Sequence, residues 1–129
     1  ITAEKNLFLS RRQELANTIS IHENKILQVE KQLLSIGSSL KMEIDLQEFI
    51  DREVDLLKPL VKQNIAPETR LLELLREQKR NLGNQENNRL AIAEAEIALD
   101  EFAQLITSAK ENYKLQALDE LSKVTADIV

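Results

Sequence analysis

The chain has 129 residues and a net charge of −5, with two Gly, two Pro and neither Trp nor Cys. That length suits one domain. The lack of Cys excludes disulfides and thiolate metal sites, no Lys/Arg run is long enough for a nucleic-acid footprint, and no apolar stretch approaches the ~20 residues that span a bilayer. Leu, Ile, Ala, Glu, Gln, Lys, Arg and Asn dominate, the usage of long helices and coiled coils, so an all-α fold is expected. The chain opens on Ile1 and stops mid-pattern at Val129, which we read as a piece of a longer protein.

The first arm starts near Thr2. Phe8, Leu15, Ile19, Ile26, Val29, Leu33, Ile36 and Leu40 recur in three- and four-residue steps, with Arg12 and His22 on the missing beats. That is a heptad seam, and a seam this narrow buries against one or two partner helices. Gly37-Ser38-Ser39 interrupts it. Gly costs about 1 kcal/mol against Ala in a helix interior, and Ser prefers caps and turns. Leu40, Met42, Ile44 and Leu46 then alternate in a strand-like period, and Asp45 with Glu48 makes a capping pair. The pattern favours a first arm broken near 37–45. The alternative is one helix running through, with Glu43 and Gln47 on the beat. Ile50, Val54, Leu57 and Val61 resume the register, and Pro59 inside it predicts a kink or an early end to the helix.

Asn64, Ile65, Ala66 and Pro67 form the one clear reversal, with sixty-three residues before it and sixty-two after. A central turn with matched arms predicts a long antiparallel α-helical hairpin, each arm reaching roughly 90 Å. Pro67 and Glu68 suit the first turn of the returning helix. Leu71 and Leu75 open its seam, but Arg76 to Arg89 holds one large apolar residue, Leu82 beside Gly83. This stretch falls opposite roughly Lys41 to Glu53, so a loosely packed, wetter waist is expected. Ile92, Ala95, Leu99, Phe102, Ile106, Ala109 and Tyr113 restore the pattern, followed by a stutter at Ala117 and Leu121, then Val124 and Ile128.

Little here points to catalysis. His22 is the lone histidine and reads as a seam-edge residue opposite Ser108 and Ala109; one His without Cys makes no zinc site. Glu94, Glu96, Asp100 and Glu101 read as a solvated face, since a two-helix rod has no cleft to raise their pKa values. Arg76, Lys79 and Arg80 read as a helix face paired with Glu73 and Glu77, or as groups setting lateral register between parallel hairpins. The tip differs. Leu60, Val61 and Ile65 are apolar at a point with no evident core beneath. Such a group either docks a partner or forms a local cap with Ile65 folded back on Leu57 and Leu71. Neither catalytic residues, a metal nor a cofactor is expected.

Several stretches together resemble a known family. They are Glu4, Leu7, Phe8 and Arg11 in the first arm; Pro59-Leu60-Val61 and Asn64-Ile65-Ala66 at the tip; Arg70-Leu71, Leu74, Arg76 and Leu82-Gly83 in the return; and Ile92-Ala93, Ala95 and Asp119-Glu120-Leu121 further on. The chain resembles the long α-helical hairpin domain of periplasmic adaptor subunits (membrane fusion proteins) of type I secretion systems, the haemolysin-D/AprE-like group. The resemblance implies a parent anchored in the bacterial inner membrane beside an ABC transporter. It implies several copies, six in the usual arrangement, whose tips meet a TolC-like outer-membrane channel in the periplasm. Lipoyl-like and β-barrel domains would flank the hairpin. The tip residues implied in partner binding are Leu60, Val61, Asn64, Ile65, Ala66, Pro67, Glu68, Thr69 and Arg70. The chain departs from many relatives in carrying Ala66 for Ser, Asp55 for an Arg before the tip leucine, and Asn84 for an acid after the glycine.

Two functions compete at this stage. One is a non-catalytic adaptor without nucleic-acid contacts. The other is a coiled-coil spacer arm of a cytosolic machine such as a chromosome-organising ATPase, which explains heptads equally well.

Overall fold

A computed structural model describes residues 2–128. Two α-helices account for all of them except 63–67: α1, Thr2–Lys62, and α2, Glu68–Ile128, each of 61 residues. They pack antiparallel about the turn, so the fold is the expected all-α hairpin. Packing divides it into two units. One joins α1 up to Glu30 with α2 from Glu96 onward; the other is Lys31–Ala95, which contains the turn.

The expected break near 37–45 does not occur; α1 runs straight through it. The reason lies in what the helix gains on each side. Half-buried or buried residues continue without a missed beat through Ile36, Leu40, Glu43, Gln47, Ile50, Val54, Leu57 and Val61. Against that continuous seam, one Gly and two Ser cost on the order of 1–2 kcal/mol in propensity. The strand-like alternation was two helical patterns superposed. Leu40 faces α2, whereas Met42 and Leu46 belong to a second, exposed strip one residue out of phase.

Pro59 also fails to end the helix. The Gln63 N–H still donates to the Pro59 carbonyl at 3.0 Å, and α1 continues to Lys62. The carbonyl that Pro59 leaves without a donor belongs to Asp55. Both residues are exposed, so solvent replaces the lost bond.

The Lys31–Ala95 unit holds the best-buried side chains among the described residues. Ile50, Val54 and Leu74 form an apolar cluster backed by Leu57, Leu71 and Leu75. The tip therefore does have a core beneath it. Below this cluster four successive seam positions of α2 are amides: Gln78, Asn81, Gln85 and Asn88. The register is as expected, but the waist is neither loose nor wet, since Asn81 and Gln85 are only 4% and 5% exposed. Each amide reaches an acceptor on α1. Asn81 Nδ2 donates to the Glu43 carbonyl and to Gln47 Oε1, both at 2.8 Å. Gln78 Nε2 donates to Asp51 Oδ1 at 2.7 Å, and Gln47 Nε2 donates to the same oxygen at 2.8 Å. Asn88 Nδ2 donates to Glu43 Oε2 at 2.7 Å, and Gln85 Nε2 to the Glu43 carbonyl at 3.4 Å. Buried amides that satisfy one another add little net stability but tie the helices to one register.

From Ile92 to Tyr113 the expected seam of α2 is half-buried throughout, with Ile92 and Ala95 in the Lys31–Ala95 unit and Leu99, Phe102, Ile106, Ala109 and Tyr113 in the other. Arg11, not Arg12, takes the half-buried beat before Leu15 and pairs with Glu120. Phe8 is exposed, as are Ala117, Leu121, Val124 and Ile128, so the seam fades past Tyr113. The His22 ring lies against Phe102, with centroids 6.4 Å apart, rather than being defined by the small Ser108–Ala109 pair. Lys25 Nζ stands 5.7 Å above the same phenyl ring.

Candidate functional site at the hairpin tip

The turn is built by the backbone. The Asn64 N–H donates to the Val61 carbonyl at 3.0 Å and the Ile65 N–H to the Leu60 carbonyl at 2.8 Å. Asn64 sits between them at φ 59°. These are the two bonds and the left-handed residue of a Schellman motif, which satisfies the last carbonyls of α1. Asn is the residue after Gly that tolerates this conformation, because its short amide accepts the crowding at low cost. The Ala66 N–H also approaches the Leu60 carbonyl, at 3.2 Å. Pro67 then halts any continuation, and its carbonyl accepts the Arg70 N–H at 3.2 Å as α2 begins. Glu68, acidic in that first turn, complements the positive helix end.

The side chains divide into two groups. Val61 and Ala66 are half-buried, turned toward the pair of helices. Leu60, Asn64, Ile65, Pro67, Glu68, Thr69 and Arg70 are exposed. Ile65 is 68% exposed, so it does not fold back as a cap on Leu57 and Leu71. All nine residues singled out from the sequence thus lie at one end of the Lys31–Ala95 unit. Arg70 is partly engaged, its guanidinium reaching Glu53 at 3.4 Å and Glu73 at 3.5 Å. These exposed pairs contribute little stability, but they orient Arg70 along the edge of a shallow groove lined by Glu53, Leu56, Leu57, Leu60 and Leu74.

Among the described residues no group of three His, Cys, Asp or Glu is placed to hold a metal. What the tip offers is an exposed branched aliphatic group, flanking polar groups and a bend held by main-chain bonds above a packed cluster.

Sequence reasoning missed one surface feature. Ser39, Met42, Leu46, Phe49, Glu53, Leu56 and Leu60 form a second three-and-four strip on α1. Its signal was legible as a beat lying one residue ahead of the hairpin seam, but the alternation at 40–46 masked it. The expected pairs from Arg76, Lys79 and Arg80 to Glu73 and Glu77 are also missing. Among the described residues none of these three cations makes an ion pair, and Glu73 is taken by Arg70.

Among the described residues no helix is long and apolar enough to cross a membrane. No curated protein and no solved structure matched the chain. A family model described as AprE, long alpha-helical hairpin, matches residues 1–129. The hairpin geometry and that full-length match agree, and the chain belongs to the AprE long α-helical hairpin family.

Proposed function

We propose that this hairpin is the periplasmic part of a non-catalytic adaptor in type I protein secretion. It links an inner-membrane ABC transporter to a TolC-like outer-membrane channel. Its tip docks on the channel and its flanks pack on neighbouring adaptors, six in the assembled tube. The parent chain carries lipoyl-like and β-barrel domains and an inner-membrane anchor. Family membership supports the adaptor over a cytosolic spacer arm.

The observation that carries the docking role is Ile65. A large aliphatic side chain left open at a hydrogen-bonded bend is held ready for a partner's apolar surface, with little conformational entropy to lose on binding. Asn64, Glu68 and Thr69 supply polar contacts around it. The test is Ile65→Asp. Helicity and melting temperature should stay close to wild-type values, because the Ile65 side chain is mostly exposed and its turn bond is made by the main chain, while co-purification with the channel should fall at least ten-fold. Undiminished capture of the channel by the folded variant would refute the tip as the docking surface.

A further inference from the structure

The polar waist pairs its two helices at one height. Asn81 donates to Gln47 and to the Glu43 carbonyl, and Gln85 reaches that same carbonyl. Asn81 and Gln85 are buried as deeply as the apolar cluster above them, although they lie about 20–25 Å along the helix from the bend. Stepped along both helices in heptads, the Asn81–Gln47 contact sets Val54 by Leu74, Leu57 by Leu71 and Ile36 by Ile92. Aliphatic contacts of this kind are poor judges of register, because a displacement of one heptad exchanges one for another. The waist is different. Sliding α2 one heptad toward the tip brings Asn81 and Gln85 against Val54 and Ile50. Sliding it away brings them against Leu40 and Ile36. Either slide strips two buried amides of their acceptors, at about ten-fold or more in the equilibrium for each.

We infer that Asn81, Gln85, Glu43 and Gln47 are positioning residues for the tip: from a distance, they decide which residues the bend displays. The bend does not decide this alone. The last turn of α1 is easily unwound, because Pro59 donates no bond to the Asp55 carbonyl and both residues are exposed. Unwinding from Pro59 supplies slack for a one-heptad slide of about 10 Å. It also breaks the Asn64–Val61 and Ile65–Leu60 main-chain bonds, so that Ile65 no longer stands on a fixed bend. A waist of Leu buries more apolar surface and holds the helices together as firmly, but in several registers. The amides exchange that burial for a single register. The register claim stands on the hairpin alone; only its consequence for docking rests on the reading of the tip given above.

The chain has no cysteine, so paired substitutions read the register by oxidation at low protein concentration. Ile36→Cys/Ile92→Cys reports the observed register. Leu40→Cys/Ala95→Cys reports the slide toward the tip, and Ile50→Cys/Leu71→Cys the slide away. A slide of about 10 Å lies outside disulfide reach, so on the wild-type waist the first pair should close at least ten-fold faster than the other two. The comparison is a waist carrying Glu43→Leu, Gln47→Leu, Asn81→Leu and Gln85→Leu, with helicity retained. There at least one slid pair should close five-fold or more faster than on the wild-type waist. Capture of the channel should fall several-fold although no tip residue has changed. Closing the disulfide of Ile36→Cys/Ile92→Cys beforehand should restore it, which separates positioning from mere loss of structure. If the fourfold variant loses helicity, Gln47→Leu/Asn81→Leu, which changes one facing pair, is read in the same way. Slid pairs that close no faster on the apolar waist overturn the inference. So does a locked register that fails to restore a capture sensitive to Ile65→Asp. Should Ile65→Asp leave capture intact while the slid pairs appear, the tip reading falls and the register inference stands.

Discussion

At the scale of single residues, Asn64 decides whether the bend closes. It holds a positive φ at the C-terminus of α1, where both turn hydrogen bonds depend on it. Asn64→Gly keeps that conformation free of strain and should leave stability nearly unchanged. Asn64→Val places a β-branched side chain in the left-handed region and should cost about 1–2 kcal/mol. Chemical denaturation of the two variants checks the ranking; equal stabilities would mean that the Schellman geometry matters little. The turn itself was legible, because Asn-Ile-Ala-Pro is the chain's one cluster of breakers. The exposure of Ile65 was not. Folding back and standing out use the same residues, and the choice depends on which carbonyl its own N–H finds. Asn81 teaches the complementary lesson. A polar residue on a seam reads as weak packing, yet here it is among the most buried, because Glu43 and Gln47 present acceptors at its own height.

At the scale of elements, α1 shows how a sustained seam overrides local breakers. Gly37, Ser38, Ser39 and Pro59 each argue for a stop, and the helix passes all four. Nothing lies within 4 Å of where a Cβ would stand on Gly37. Gly37→Ala should therefore stabilise the hairpin by about 0.5–1 kcal/mol through helix propensity and a less flexible unfolded chain. A rise in thermal midpoint is expected; a fall would point to a break at that site after all. Sequence reading mistook the region because it sought one period at a time. Met42 and Leu46 belong to one helical strip and Leu40 to its neighbour, and their interleaving imitates a strand. The same double patterning explains why α1 is richer in apolar residues than one partner helix requires.

At the scale of the whole molecule, a two-helix family domain leaves much of its apolar surface unmatched. Only Ile50, Val54 and Leu74 are buried apolar side chains among the described residues, while many large aliphatic groups stay exposed. Helix propensity contributes little without packing, so neighbours should supply part of the stability. The melting temperature of the isolated hairpin should rise with protein concentration, as association stabilises the folded chain. A midpoint constant over a hundred-fold range would contradict this. Fold class and the position of the bend were open to inference from heptads and from the symmetry of the arms about Asn64. The family was open to resemblance. The beat of the second strip is present in the sequence, but its exposure required coordinates, since only the separation of buried from exposed positions tells the two α1 patterns apart.

The bend separates two tasks that many recognition loops combine. Its shape is secured by amide-to-carbonyl bonds converging on Leu60 and Val61 and by the left-handed Asn64, whereas the exposed side chains of Ile65 and Thr69 make no hydrogen bond or ion pair that holds it. Ile65 and Thr69 are therefore free to diverge as a cognate surface diverges, without endangering the fold that displays them. A lineage can retune what it recognises one exposed residue at a time and keep the same scaffold throughout.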